Sequence, residues 1–397
     1  MRIREFAAHL KAFARRLGLG SGPAAIIGPC VLVIDYRYPR TDRNSGDLST
    51  TFYIRMFLSL GYQVVFAAAE QFFETGPYRR QLEAMGVTCV GAGWFASIDK
   101  LLKREGARFD ICFLCRFNSG GRYFEAARRY CRSAKIVFTP VDLHHLRDTR
   151  RAELQGDDVQ QDQIARTKAR ELELVHKADA TVVVSSVEKR ILDDAVPGAR
   201  VWHMPMVTEC PGRAKPFRER AGIGFVGGFA HQPNGDAVWY FLTEIWPLVR
   251  VRLRDVQFFI IGSNLPDIFG KLPVPGVVAI GHVPDLAEPH ARLRLTVAPL
   301  RYGAGAKRKV LSSMAHGVPC VVTEIAAEGM DLVDGKHVLI GSDPAHFAEQ
   351  IIRLYEDEAL WYALSDAGLA RVQEHHSLEA GRARMRKLLD EIGAAPG

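Results

Sequence analysis

The stretch RLTVAPLRYGAGAKRKVLSSMAHGVPCVVT, residues 294–323, decides how the second half of the chain folds. Its apolar run 294–300 predicts a buried strand, and a loop of small residues follows. The sequence from Lys307 to His316 predicts a helix, and the apolar run 319–323 predicts a second strand. Strand, helix and strand in this order form the unit that builds a parallel sheet with helices on both faces.

The same alternation fills two separate parts of the chain. The predicted strands are 30–36, 63–69, 87–92, 109–115, 135–142, 181–186 and 201–205 in the first part and 222–228, 256–262, 277–281, 294–300, 319–323 and 337–340 in the second. We therefore predict an α/β protein with two doubly wound, Rossmann-like domains that face each other across a cleft. The predicted domains are 23–207 and 221–375, joined by a proline-containing linker at 208–220. A C-terminal helix, 376–397, can cross back to the first domain.

The composition excludes several classes of protein. Of the 397 residues, 48% are hydrophobic and 24% are charged, which excludes a mostly disordered chain. The longest apolar stretch, Pro23–Ile34, is shorter than the roughly 20 residues that a bilayer span needs. The net charge is +7, but the first twenty residues contain five basic residues and one acidic residue, so little excess is left elsewhere. A nucleic-acid-binding protein would spread basic residues along a face, so we expect no nucleic-acid partner.

Seven cysteines, an odd number, indicate a reducing cytoplasm rather than a disulfide framework. Cys112 and Cys115 form a C-x-x-C, a spacing that also occurs in metal and redox sites. They lie in the apolar segment FDICFLCRF, which is typical of a buried strand where cysteine packs as a small hydrophobe. We therefore predict no metal or redox site at this pair.

The N terminus predicts a basic amphipathic helix over 1–22. Its apolar residues recur at spacings of three and four on one face, and they are Ile3, Phe6, Leu10, Phe13 and Leu17. Two interpretations stay open: a helix that lies on an anionic membrane surface, and an ordinary helix that packs on the domain or frays. The first interpretation predicts a cytoplasmic protein that associates peripherally with the inner face of the plasma membrane.

A glycine-rich loop at 303–305 leads into the helix that is predicted to begin near Lys307. Such a loop exposes backbone N–H groups at a helix N terminus, where the helix dipole favours an anion such as phosphate. Lys307, Arg308 and Lys309 add positive charge at the same end, where the dipole alone disfavours cations. A bound anion resolves this conflict, and the alternative is a solvated basic turn. The loop matches neither the G-x-x-x-x-G-K-[ST] phosphate loop nor the G-x-G-x-x-G dinucleotide fingerprint.

Many short motifs resemble, in the same order, those of the retaining glycosyltransferases of family 4, which have the two-domain GT-B fold. In the second half they are FVGGFAHQPNGDAVWYF (225–241), VQFFIIGSNLPD (256–267), GHVPDL (281–286), APLRYGAGAKRKVLSSMAHGVPCVVT (298–323) and AAEGM (326–330). In the first half they are VIDYRYPRTDRNSGDLS (33–49), VDLHHLRDTRRAEL (141–154) and ADATVVVSSVEKRIL (178–192). The resemblance covers about residues 30–390. It implies an acceptor domain at 23–207 and a nucleotide-sugar domain at 221–375.

A retaining transfer from a nucleotide sugar must stabilise a leaving diphosphate, for which placed cations are expected to be the largest protein contribution. We assign this role to Lys307 and Lys309, with Lys307 as a catalytic residue. Further donor-binding candidates are Gly227, Gly228, His231, Asn234, Gly303, Ala304 and Gly305. The candidates on the acceptor side are Asp42, Ser45, Gly46, Asp142 and Arg147. The resemblance also implies a catalytic histidine after the fifth strand, where His144 and His145 both stand, and which of them faces the cleft stays open.

One departure from the family concerns the acidic residues of the donor loop. Many members place two glutamates eight residues apart, and Ala304 and Ser312 occupy those positions here. Glu328 is the candidate that replaces the glutamate usually assigned to the nucleotide ribose. Asp35 and Asp42 do not form a D-x-D, so the chain resembles the metal-independent members of the family, and we expect neither metal nor cofactor.

The resulting prediction is a hexosyltransferase-type enzyme that moves a sugar from a nucleotide sugar to an acceptor hydroxyl with retention. The basic segment 1–20 favours a carbohydrate or lipid-linked acceptor in the synthesis of a cell-surface polysaccharide or glycolipid. Two alternatives stay open. One is a nucleotide-sugar epimerase, which needs no acceptor, and the other is a non-catalytic GT-B-like component of a polysaccharide-assembly complex, which the missing glutamates favour.

Deletion of residues 1–22 should abolish co-sedimentation of the protein with anionic lipid vesicles, because this segment carries the basic and apolar faces that bind such a surface. Circular dichroism should show that the shortened protein stays folded. Co-sedimentation that the deletion leaves unchanged would contradict the membrane interpretation.

Overall fold

The computed structural model describes residues 28–43, 45–91, 94–156 and 161–395. The helix predicted over 1–22 lies outside the described residues. Within them, strands alternate with helices in two lobes, each built on one parallel sheet. No helix in these ranges is long and apolar enough to cross a membrane.

The first lobe is a seven-stranded sheet with helices on both faces. Its strands are β1 (Cys30–Asp35), β2 (Gln63–Ala68), β3 (Thr88–Val90), β4 (Ile111–Cys115), β5 (Lys135–Thr139), β6 (Ala180–Val183) and β7 (Val201–His203). Its helices are α1 (Ser45–Ser59), α2 (Pro77–Ala84), α3 (Ile98–Glu105), α4 (Phe124–Tyr130), α5 (His144–Gln155), α6 (Gln161–Lys177) and α7 (Ser186–Ala195). The strand order is β3-β2-β1-β4-β5-β6-β7, and every pair is parallel. All six residues of β1 are buried, as a central strand covered on both faces requires.

The second lobe is a six-stranded parallel sheet in the order β10-β9-β8-β11-β12-β13. Its strands are β8 (Ile223–Val226), β9 (Phe258–Ile261), β10 (Val277–Gly281), β11 (Leu295–Ala298), β12 (Cys320–Val322) and β13 (Leu339–Ile340). Its helices are α8 (Gln232–Tyr240), α9 (Trp246–Arg252), α10 (Ile268–Lys271), α11 (Ala287–Arg292), α12 (Arg308–Ala315), α13 (Glu324–Ala327), α14 (Pro344–Glu356) and α15 (Glu358–His376). A last helix, α16 (Leu378–Glu391), follows.

This architecture confirms the predicted α/β fold with two doubly wound, Rossmann-like domains. Two local differences both concern the segment after β5. The strand ends at Thr139 rather than at residue 142, because Val141 adopts a φ of 73°, a left-handed conformation that a β-branched residue rarely takes. The segment that begins at His144 was predicted only as a motif, and it forms helix α5.

Helix α16, the last helix of the described chain, packs on the first lobe rather than on the second. Met385, Leu388 and Leu389 are fully buried in the apolar cluster of the first lobe. Gly381 allows a close approach, because a Cβ there would lie 2.6 Å from a methyl group of Val207 and 3.1 Å from the side chain of Met56. The last helix of the described chain therefore packs on the lobe that the first part of the chain forms.

Leu388→Ala should lower the free energy of unfolding by about 2–5 kcal/mol, because the substitution leaves a cavity in a fully packed cluster. Lys387→Ala, at an exposed neighbouring position on α16, should change it by less than about 0.5 kcal/mol. Urea denaturation followed by circular dichroism measures both values. Equal effects of the two substitutions would contradict the packing of α16 on the first lobe.

Candidate functional site

A cleft of about 480 Å³ lies between the two lobes, at the carboxyl ends of their strands. Loops after β1, β4 and β5 line it from the first lobe, and loops after β8, β9, β10 and β11 line it from the second. Doubly wound sheets bind their ligands at this edge, so the cleft is the candidate site.

The loop between β11 and α12 reaches the first lobe through its glycines. Gly303 and Gly305 have φ values of 152° and 65°, conformations that favour glycine. A Cβ on Gly305 would lie only 3.2 Å from the Cβ of Asp142 in the other lobe. Gly303, Ala304 and Gly305 all line the cleft.

Lys307 stands directly before α12 and is 8% exposed. Its Nζ donates to the carbonyl oxygens of Gly305, at 2.5 Å, and of Ala304, at 3.3 Å. Burial lowers the pKa of Lys307 to about 8, although the nearby Glu328 and Glu188 oppose this shift. The side chain therefore holds a buried ammonium at the wall of the cleft.

Lys309 forms the second cation at the start of α12. Its Nζ donates to Oδ1 of Asn234 and lies 4.4 Å from the ring centroid of Phe225. Burial, and then the neighbouring charge of Lys307, lower the pKa of Lys309 to about 7. Since both lysines line the cleft, they do not form a solvated basic turn.

Arg308, between the two lysines, extends across the cleft to the first lobe. Its guanidinium donates to Oγ of Ser49 at 2.8 Å, to Oγ of Ser45 at 3.2 Å and to the carbonyl oxygen of Val207 at 3.0 Å. These acceptors are uncharged, and burial lowers the pKa of Arg308 to about 10. Arg308 therefore joins the lobes and adds a third positive charge to the cleft.

The structure separates the two candidate histidines. His144 lines the cleft, packs edge-on against Phe117, and has its Nε2 3.4 Å from Oδ1 of Asp142. His145 points away from the cleft, and its buried ring places Nδ1 2.6 Å from Oε2 of Glu171. We therefore keep His144 as the catalytic candidate and correct His145 to a buried structural position.

Asp142 lies between His144 and Arg147. Arg147 donates to Oδ2 of Asp142 at 2.8 Å, while His144 approaches the other oxygen. Burial alone would raise the pKa of Asp142, but the hydrogen bond with His144 and the nearby Arg147 guanidinium hold that pKa well below its usual range. Asp142 is thus a fixed negative charge that pairs with Arg147 and orients the ring of His144.

The acceptor-side loop after β1 brings Asp42, Ser45 and Gly46 to the cleft. Asp42 accepts a hydrogen bond from the hydroxyl of Tyr78 at 3.0 Å, and Ser45 is the residue that Arg308 reaches. A Cβ on Gly46 would lie 2.9 Å from the guanidinium of Arg116, so the loop packs closely over that side chain.

The segment after β8 places Gly227, Gly228, His231 and Asn234 in the cleft. Burial lowers the pKa of His231 to about 4, so the ring is neutral near pH 7. Asn234 donates to the carbonyl oxygen of Gly228 at 2.7 Å and accepts from Lys309. Asn234 therefore orients Lys309, and it also lines the cleft itself.

Residues 220–357 match the family described as "Glycosyl transferases group 1". The match spans most of the second lobe, including the loop at 303–305 and α12. No curated protein matches the sequence significantly.

Solved GT-B structures resemble the whole chain. Sucrose-phosphate synthase from Thermosynechococcus elongatus aligns with a TM-score of 0.72 at 16% identity, over 93% of this chain and 100% of that one. Anabaena HepE in complex with UDP-glucose aligns with a TM-score of 0.67 at 14% identity, over 91% and 99% of the two chains. A glycosyltransferase from Rickettsia africae aligns with a TM-score of 0.65 at 11% identity, over 92% and 98%. The chain therefore has the GT-B fold.

The positions of the missing glutamates lie in the cleft, but Glu328 does not replace them there. Ala304 and Ser312 both line the cleft, whereas Glu328 is outside its lining. The carboxylate of Glu328 pairs with Arg150 of the first lobe at 2.9 Å. The expectation that Glu328 contacts the donor is therefore corrected: it binds the two lobes together. Among the described residues, no group of three or more His, Cys, Asp or Glu side chains is placed to hold a metal ion.

Several residues that line the cleft were not predicted from the sequence. They are Ser49, Arg116, Ser263, His282, Val283 and Leu286, and the side chain of Arg308 joins them. The segments 256–267 and 281–286 already resembled group 1 motifs, and each follows the carboxyl end of a strand. That position is the signal from which Ser263 and the residues after β10 were predictable.

Sulfate should raise the melting temperature more at about pH 6 than at about pH 9, because Lys309 and Lys307 lose their charge as the pH rises through about 7 and 8. Replacement of both lysines by Met should remove this pH-dependent difference. The general stabilisation by sulfate should remain in the double variant. A wild-type shift that is the same at both pH values would contradict an anion site at the lysines.

Proposed function

We propose that the protein is a glycosyltransferase that moves a hexosyl group from a nucleotide sugar to an acceptor hydroxyl with retention. One observation carries this proposal: the ammonium groups of the buried Lys307 and the half-buried Lys309 line an interlobe cleft at the N-terminal end of α12. A diphosphate supplies the negative charge that buried cations at this end of a helix lack. The group 1 match of the second lobe and the GT-B fold support the same assignment.

The donor is expected to bind the second lobe with its diphosphate against the two lysines. As the bond to the sugar breaks, negative charge grows on the diphosphate, and Lys307 and Lys309 stabilise it. Gly303, Ala304 and Gly305 line the same cleft. The nucleoside would then extend along the loops after β9 and β10, where Ser263 and Val283 line the cleft.

The first lobe is expected to hold the acceptor. His144 stands opposite the lysines, and Asp142 fixes the orientation of its ring. In this position the imidazole can hydrogen-bond the transferred sugar or the incoming hydroxyl, while Arg147 remains paired with Asp142. The lobes exclude water around the transferred group, which favours the acceptor hydroxyl over hydrolysis.

We propose a metal-independent reaction, in which the lysines take the place that a divalent cation has in other diphosphate sites. We also propose a carbohydrate or lipid-linked acceptor, at the inner face of the plasma membrane, in the synthesis of a cell-surface polysaccharide or glycolipid. The support for this location is the basic, apolar pattern of residues 1–20.

A second candidate function is a non-catalytic component of a polysaccharide-assembly complex. It is favoured by one observation, namely that Ala304 and Ser312 leave the cleft without carboxylates at those positions. Thermal-shift titration with UDP-, GDP- and dTDP-sugars separates the two functions, because a scaffold should show no shift with any of them. Incubation with a nucleotide sugar alone detects an epimerase, since only that reaction proceeds without an acceptor.

Lys307→Ala should lower kcat roughly 100- to 1,000-fold, the effect of removing one group that stabilises transition-state charge. The assay uses the nucleotide sugar that gives the largest thermal shift, with product analysis to identify the linkage. Lys336→Ala, at an exposed lysine outside the cleft, should retain the wild-type rate. Full turnover by Lys307→Ala would overturn the role of Lys307.

A further inference from the structure

Glu188 is a fully buried carboxyl group for which the reaction described above has no use. It lies in the first turn of α7, where Oγ of Ser185 accepts a hydrogen bond from its backbone N–H. Its exposure is 0%. A carboxyl group is rarely buried to this extent without a compensating function or partner.

The carboxyl group of Glu188 stands between the loops of the two lobes. Its Oε1 accepts a hydrogen bond from the backbone N–H of Leu143, at 2.8 Å, which fixes the segment between Asp142 and His144. Its Oε2 has no hydrogen-bond partner of normal geometry among the described residues, although the amide of Gly305 lies near enough to lower the pKa of the group. One oxygen thus holds the loop at 140–143 before His144, which we call the histidine loop. The other faces the loop at 299–307 before α12, which we call the lysine loop.

The charged groups around Glu188 come from three elements. Burial raises the pKa of Glu188 to about 8, the negative charge of Asp142 adds to this shift, and Lys307 opposes it. Tyr53, on α1, stays neutral because burial raises its pKa well above the usual range. Asp142 keeps its charge, since its pKa lies well below the usual range. Glu188 is therefore the acidic group of this cluster that can change its charge near neutral pH.

We propose that Glu188 is a positioning residue that joins the histidine loop to the lysine loop and takes up a proton from solvent when a nucleotide sugar binds. This inference rests on the proposed function. With the cleft empty, Glu188 becomes ionised as the pH rises through about 8 and is then a negative charge near Lys307. A bound diphosphate replaces it as the counter-ion of Lys307, and a second negative charge beside the diphosphate then repels the donor. Protonation removes that repulsion and leaves the hydrogen bond to Leu143 in place.

The affinity for the donor depends on pH because the diphosphate replaces Glu188 as the counter-ion of Lys307. Below about pH 7 the carboxyl group is already protonated, so donor binding requires no proton at Glu188. Above about pH 8 the free protein holds an ionised Glu188, and binding must take up a proton there. The affinity for the donor should then fall by up to about tenfold for each further pH unit through this group alone.

Difference infrared spectroscopy of the wild-type protein tests the proposal directly. UDP-glucose, GDP-mannose and dTDP-glucose are titrated at about pH 6, where both lysines are charged, and the spectrum is recorded at about pH 9 with a saturating concentration of the one that binds tightest. The proposal expects a gain of the C=O stretch of a protonated carboxylic acid and a loss of carboxylate bands. Protonation of Lys307 or Lys309 gives no such band. A donor that binds without this change would overturn the proposal, and the absence of binding by all three would overturn the proposed function and this inference with it.

Glu188→Gln, which copies the protonated form, separates this role from a merely structural one. Its affinity for the same donor should equal that of the wild type at about pH 6 and exceed it about tenfold at about pH 9, and the infrared band should disappear. Glu171→Gln removes an equally buried carboxylate of the same lobe and should leave the band in place. Persistence of the band in Glu188→Gln would overturn the proposal. Should Glu188→Gln fail to fold, the wild-type spectrum decides.

Discussion

The position of two lysine side chains at the N-terminal end of α12, one buried and one half-buried, is the constraint on which the cleft depends. A helix dipole disfavours cations at this end, and burial disfavours the charged form of both groups. Neutral acceptors compensate for this cost. Lys307 donates to the carbonyl oxygens of 304 and 305, and Lys309 donates to the side chain of Asn234. These acceptors orient the ammonium groups without cancelling their charge, so a site for an anion remains between the lobes.

Polar contacts between the lobes set the width of this cleft. Arg308 reaches two serines of α1, Arg150 pairs with Glu328, and Ser186 donates to Asp331 at 2.7 Å. Each contact exchanges a hydrogen bond to water for one across the interface, so the net stabilisation by each is modest. Such contacts can open and close with a ligand, which suits a hinge motion between two lobes whose covalent connections are the linker and the chain between α15 and α16.

The fold was predictable because it rests on patterns that are local in sequence. Apolar runs, helical spacing and the linker define two parallel sheets, and the carboxyl ends of the strands then locate the cleft. The orientation of single side chains was not predictable. His145 turns away from the cleft because Glu171, on another helix, binds its ring. Glu328 lies outside the cleft lining, where it forms an ion pair with Arg150 of the opposite lobe. Arg308 was recognised as a charge, but two of its partners, Ser45 and Ser49, lie more than 250 residues earlier in the chain. Such partners meet only when the lobes are assembled.

The absence of carboxylates at 304 and 312 changes how the cleft balances its charge. A glutamate at either position would lie beside the lysines and neutralise them within the second lobe. With Ala304 and Ser312 in their place, the acidic groups near Lys307 are Asp142 and Glu188 of the first lobe and Glu328, which Arg150 engages. The electrostatic state of the lysines therefore depends on the approach of the first lobe, so the charge at the wall of the cleft is set by both lobes together rather than by the second lobe alone.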